Sequence, residues 1–207
     1  MKKVLIAKKI GMTQVLNPSG TVTPVTVAKI SNVHILDFLS ISNQGYNALR
    51  LTSIEKRSNK SNKPHIGQFK KAGIDCKSII FELKVQDTSL YKDITEFTID
   101  SLKENQTVII KSVSKGKGFM GTIRKHGFSR GPETHGSKNH RLPGSIGAGT
   151  SPSRVLKGTK MAGKHGNNNH TLPATIIKID VESSLVYFKG SFPGSNGSFL
   201  RVYTNEN

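Results

Sequence analysis

The chain has 207 residues, with 31 Lys and Arg against 13 Asp and Glu, a formal net charge of +18 and a pI near 10.1. A charge of this size points to a nucleic acid or an anionic membrane surface and says nothing about fold. A single cysteine, Cys76, excludes an internal disulfide and a multi-cysteine zinc site, and no apolar run approaches the length of a membrane span.

The first nine residues hold four apolar positions, Val4–Ala7, before the next charge, too few for the core of a signal peptide. A soluble, intracellular protein is expected, and without a transit peptide a bacterial cytoplasm is favoured over an organelle. Short strands are predicted at Val4–Ala7 and Met12–Leu16, followed by a turn over Asn17–Gly20. Thr21–Val27 is rich in β-branched residues and reads as a strand, with Pro24 marking an edge or a bulge. Tyr46–Thr52 is a further strand. From Ser53 to Gly73 the pattern dissolves into Lys, Asn, Ser and Gly. There Lys56, Arg57, Lys60, Lys63, Lys70 and Lys71 face only Glu55, so a basic irregular insertion is expected near residues 54–73. Strands return at Ile79–Leu83 and Thr107–Val113, with a turn or short helix at Ser101–Asn105. Thr175–Val181 and Leu185–Phe188 flank Glu182–Ser184 as a hairpin, and Phe199–Tyr203 is the last strand. Many short strands with no long helical period predict a mainly β chain, a small antiparallel barrel or sandwich.

Lys111–His170 interrupts that series. Its sixty residues carry twelve Lys or Arg and one acid, Glu133, with twelve of the twenty glycines and five of the seven histidines. Phe119, Ile123, Phe128 and Leu156 are too scattered to build a core. A self-repelling segment that buries little surface cannot offset its ordering entropy, so it is expected to be disordered alone. Surrounded by a polyanion it becomes intelligible: Lys and Arg meet phosphates, and Gly lets backbone approach a crowded surface. One short helix is expected over Gly118–His126, with Phe119, Ile123 and Met120 on one side.

Three motifs lie inside this window. Gly116–Gly121 matches the dinucleotide fingerprint G-x-G-x-x-G, but no acid stands about twenty residues on and no second strand follows for about fifty. A nucleotide enzyme is therefore not expected, although glycines beside cations suit any phosphate. His135/His140 and His165/His170 are each five apart, off the spacing that puts two ligands on one helix face, so neither a metal nor catalysis is expected. Pro143–Pro152 carries no charge although charge flanks it, as for a finger whose stem holds phosphates and whose tip enters a tight space.

The wording of these motifs is specific. KGKGFMG at Lys115–Gly121, RKHGF at Arg124–Phe128, HGSK at His135–Lys138, His140-Arg141, PGSIG at Pro143–Gly147 and KGTKMAG at Lys157–Gly163 resemble the signature of bacterial large-subunit ribosomal protein three, the universal L-three family. KKIGMT at Lys8–Thr13, PVTV at Pro24–Val27, Gly45-Tyr46, Lys71–Gly73, Lys189-Gly190 and Pro193-Gly194 extend the likeness over nearly the whole chain.

The resemblance implies a small split β-barrel of the translation-protein type with a long basic, mostly irregular extension. Residues 1–112 would form the first part of the barrel, 113–170 an rRNA-penetrating extension and 171–207 the closing strands. It implies a structural, non-catalytic protein that binds large-subunit rRNA and neighbouring large-subunit proteins, aids early assembly and reaches toward the peptidyl-transferase centre. No cofactor, metal, membrane or small-molecule substrate is implied. Carried over by position, Lys115, Lys117, Arg124, Lys125, His126, Arg130, His135, Lys138, His140 and Arg141 would line the ingoing limb. Arg154, Lys157, Lys160 and Lys164 would line the returning one, and Lys8 and Lys9 would add contacts near the start. Gly144, Ser145, Ile146, Gly147, Ala148 and Thr150 would form the tip. Two departures stand out: the tip reads Ala148-Gly149-Thr150 where the family commonly has Gln, and Gly166–Asn169 reads GNNN where Gly-Asn-Glu-Arg is usual.

Overall fold

The computed structural model describes residues 2–18 and 20–205. Two compact units emerge: one from the chain up to Val113 and again from Asn169 onward, the other from Ser114–Asn168. The first is mainly β. Its strands are β1 (Lys2–Leu16), β2 (Val22–Ser31), β3 (Val33–Leu39), β4 (Ala48–Glu55), β5 (Lys77–Lys84), β6 (Glu96–Phe97) and β7 (Thr107–Val113). A one-turn helix α1 (Ile41–Gln44) precedes β4, and α2 (Lys63–Ala72) precedes β5. The second unit holds β8 (Phe119–Met120), α3 (Thr122–His126) and β9 (Gly163–Lys164), after which β10 (Asn169–Asp180), β11 (Leu185–Lys189) and β12 (Phe199–Asn205) complete the first.

Six antiparallel strands close into a barrel in the order β1-β12-β7-β10-β11-β2, the last pairing back to β1. Closure removes the free edges along the fully paired length of this sheet, beyond which the β1–β2 hairpin continues to Leu16↔Val22. The interior follows from strand alternation: Val108 and Ile110 of β7, Leu200 and Val202 of β12, and Val186 and Phe188 of β11 are essentially inaccessible, while their strand neighbours are not. A second sheet, β5-β4-β3-β6, shares this core through Leu49, Leu51, Phe81, Leu83 and Phe97. β1 lies between the two. Val4, Leu5, Ile6 and Ala7 are all buried in succession, which alternation allows only if both faces of the strand are covered. β1 touches β3 and β6 as well as its barrel neighbours, and Tyr91 Oη accepts the Lys2 backbone N–H at 2.9 Å.

The expected strands are present, with instructive differences. Val4–Ala7 and Met12–Leu16 are one strand, bent by a bulge between Lys9 and Gly11. The turn at Asn17 is closed by Gly20 N–H donating to the Asn17 carbonyl at 2.9 Å; Ser19 lies outside the described residues. Pro24 sits one residue beyond the last β2–β11 pair, Val25↔Lys189, an edge position. The hairpin at Asp180↔Leu185 falls where it was expected. Residues 54–73 are not irregular throughout, and α2 is the correction. Pro64 stands in its first turn, Gly73 ends it at φ 67°, and Phe69 alone is buried. The expected helix over Gly118–His126 starts only at Thr122, because Phe119 and Met120 pair with Lys164 and Gly163 as strands.

Candidate nucleic-acid interface

The second unit begins where the β7–β10 ladder ends, at the pair Val113↔Asn169. Its limbs run antiparallel and are tied mostly by backbone. Ser114 N–H donates to Asn168 O, Lys117 N–H to His165 O and His165 N–H to Gly118 O, each at 2.9 Å. Gly166 is required here: at φ 73° a Cβ would stand 2.1 Å from the Lys115 carbonyl oxygen. Past β8, α3 ends at Gly127, whose N–H donates to Ile123 O. The Met161 carbonyl accepts from His126 Nε2 at 3.0 Å, which puts the ring proton on Nε2 and ties α3 to the returning limb. Farther out, Gly131 N–H donates to His140 O at 3.0 Å and His140 Nδ1 donates to Pro132 O at 2.9 Å. A Cβ at Gly131 would stand 1.8 Å from the Asn139 carbonyl oxygen, so this close approach also needs glycine.

Thr122 is the only buried residue between Ser114 and Asn168, and every residue from Lys138 to Gly158 is exposed. Leu142, Ile146 and Leu156 stand uncovered at 64%, 43% and 61% exposure. The unit is thus ordered by turns and cross-limb backbone bonds, with no apolar core of its own. Its electrostatics are one-sided. Among the described residues only Arg130 of these cations has a carboxylate partner, the nearby Glu133. No three His, Cys, Asp or Glu side chains converge among the described residues.

Thirteen of the sixteen residues expected to meet RNA are exposed: Lys8, Lys115, Lys117, Arg124, Arg130, His135, Lys138, His140, Arg141, Arg154, Lys157, Lys160 and Lys164. Lys125 and His126 are half-buried. Lys9 is turned into the protein. It is 7% exposed, and its ammonium donates to the carbonyls of Phe192 at 2.7 Å and Gly194 at 3.2 Å. It staples the loop before β12 to β1 and, unlike Lys8, is closed off from solvent. The tip residues Gly144, Ser145, Ile146, Gly147, Ala148 and Thr150 are all exposed. The fingerprint at Gly116–Gly121 leads into a two-residue strand and a five-residue helix, not the strand–loop–helix of a dinucleotide site.

One pair escaped the sequence reading. On the barrel, Arg201 of β12 is the direct cross-strand neighbour of Lys111 of β7. Lys111 Nζ lies 4.8 Å from the Tyr203 ring centre and Arg201 Cζ 5.3 Å from that of Phe81. Like charges placed opposite each other repel, and each is steadied by a ring. Only the strand register brings them together, so no local signal could have found Arg201.

A family model for "Ribosomal protein L3" matches residues 29–185. Among similar proteins, "Large ribosomal subunit protein uL3c" of Gracilaria tenuistipitata var. liui is 42% identical over 204 residues, covering 98% of this chain and 100% of that one. "Large ribosomal subunit protein uL3" of Finegoldia magna is 39% identical, covering 97% and 96%. The protein of the same description from a Synechococcus strain is 38% identical, covering 96% and 93%. Both bacterial and plastid homologues stand among these relatives, so the expected preference for a bacterial source does not follow from them. Matched end to end at about two-fifths identity, the chain belongs to the ribosomal protein L3 family, non-enzymatic proteins of the large ribosomal subunit that serve translation.

Proposed function

We propose that this protein is a structural, rRNA-binding constituent of the large subunit, with residues 113–170 as an extension that penetrates the RNA. Residues 1–112 and 171–207 would form its split-barrel body, and neighbouring large-subunit proteins would be its other partners. The extension would act by neutralisation. Lys115, Lys117, Arg124, Lys125, Arg130, Lys138 and Arg141 on one limb, and Arg154, Lys157, Lys160 and Lys164 on the other, let RNA helices approach closely during early assembly. The uncharged tip at Pro143–Pro152 then reaches toward the peptidyl-transferase centre. Contacts are mostly to phosphate and sugar, with RNA shape supplying most of the specificity.

The observation that carries this reading is a unit with one buried residue, Thr122, and eleven cations against one carboxylate. Such a segment has neither an apolar core nor matching acids to offset its own repulsion, and a polyanion would supply the missing charge. The test is the salt dependence of binding to a large-subunit rRNA transcript. About ten phosphate contacts give a log–log slope of roughly −7 to −9. A slope shallower than about −3, or absence of the protein from large subunits purified at physiological salt, would contradict the proposal.

A further inference from the structure

Lys117, Phe119, Met120, Ile123, Arg124 and Arg141 line a concavity of about 300 Å³ in the second unit. The three cations come from separate places: Lys117 precedes β8, Arg124 lies on α3, and Arg141 belongs to the loop beyond His140. No carboxylate lines it. Phe119 beside them is 76% exposed, the most open large apolar side chain of the described residues. Among the described residues no ring or cation stacks on it, whereas His126 and Phe128 meet each other with ring centres 6.0 Å apart. Met120 and Ile123 are half-buried beside it.

We propose that this concavity receives a single unstacked nucleotide of RNA, its base on the Phe119 ring and its flanking phosphates on Lys117, Arg124 and Arg141. The inference rests on the rRNA-binding reading and adds what kind of RNA element is held. A bare aromatic face and three unpaired cations match the two ends of a nucleotide, a flat apolar base and an anionic backbone. An A-form duplex keeps its base faces stacked inside and cannot offer one. An acidic peptide would satisfy the cations and leave the ring in water. The volume lies at the lower end of ligand pockets, which run from about 300 to 1,000 Å³, and so suits one nucleotide. The glycines of Gly116–Gly121 keep this stretch of backbone free of side-chain bulk between Lys117 and Phe119.

The test uses the full chain and a short single-stranded RNA with 2-aminopurine at its centre, the same RNA as a duplex, and adenosine monophosphate. The single strand should bind more tightly than the duplex, and the fluorescent base should be quenched by stacking. Phe119→Leu should weaken single-strand binding between about fivefold and a hundredfold and remove the quench, without changing the salt slope. Phe119→Tyr should restore both. Arg124→Gln should keep the quench and make the slope shallower by about 0.7. Wild-type quench and affinity in Phe119→Leu would overturn the proposal, as would equal affinity for the duplex. Binding of adenosine monophosphate as tight as that of the strand would assign the site to a free nucleotide instead. Failure of the wider reading looks different: no form of RNA binds in a salt-dependent manner.

Discussion

Replacing Lys9 by Met keeps the stem and removes the charge, and it separates a structural lysine from an RNA contact. In the native protein the ammonium serves the Phe192 and Gly194 carbonyls at 2.7 and 3.2 Å, in a setting 7% exposed. Both of those residues are themselves buried. Each carbonyl that loses its donor costs about 1–3 kcal/mol, and the variant recovers part of this because no ammonium has to be dehydrated. The net loss comes to about 2–4 kcal/mol. At roughly 2–4 °C per kcal/mol for a chain of this size, the melting temperature should fall by about 4–16 °C. The assay is thermal unfolding by circular dichroism, run beside rRNA-transcript binding at several salt concentrations. Lys9→Met should melt early with an unchanged salt slope. A variant that melts with the wild type, and whose slope is shallower by about 0.7, would refute the assignment and return Lys9 to the phosphate-binding set.

Limited proteolysis of RNA-free protein should cut first between Lys115 and Lys164, because exposed backbone without a core opens at least cost; uniform resistance there would count against it. Changing Arg141 and Arg154, which flank the uncharged tip, both to Glu should impair subunit assembly while leaving the barrel's melting temperature nearly unchanged; a normal yield of large subunits would contradict this. Tyr46 donates to Glu82 at 2.8 Å, and that bond, with smaller contributions from desolvation and the Glu82 charge, raises its pKa above 10.0. An alkaline absorbance titration that follows this phenol should find its transition raised, and Glu82→Gln should bring that transition down.

Where local pattern decided the structure, the chain could be read directly. Thr107–Val113 is strand β7 residue for residue, since Val108, Ile110 and Ser112 alternate inward against Lys111 and Val113 outward. The hairpin at Glu182–Ser184 was equally plain, with Ser184 taking the positive φ of 56° that the turn needs. β3 was not, because the bulge between Ile35 and Asp37 breaks its alternation and leaves only Val33 and Leu39 buried. α2 hid among lysines, with a single buried anchor in Phe69, so its helical period had almost nothing to register on. The cations of the candidate site were legible because charge survives any folding. Their environments were not. Lys9 and Lys8 look alike in sequence, yet a loop some 180 residues later buries one and leaves the other in water. Likewise Arg141 meets Lys117 and Phe119 only through the path of an irregular loop.

The pair Val113↔Asn169 makes the barrel indifferent to what is strung between those two residues. Their ends are already held side by side by the ladder, and the entropy of closing a loop grows only with the logarithm of its length, about 0.6 kcal/mol per doubling. Shortening or lengthening the intervening 55 residues, from Ser114 to Asn168, therefore changes the stability of the body by little. The length of the inserted unit and the stability of the barrel are separate variables in this architecture, and one can change while the other stays as it is.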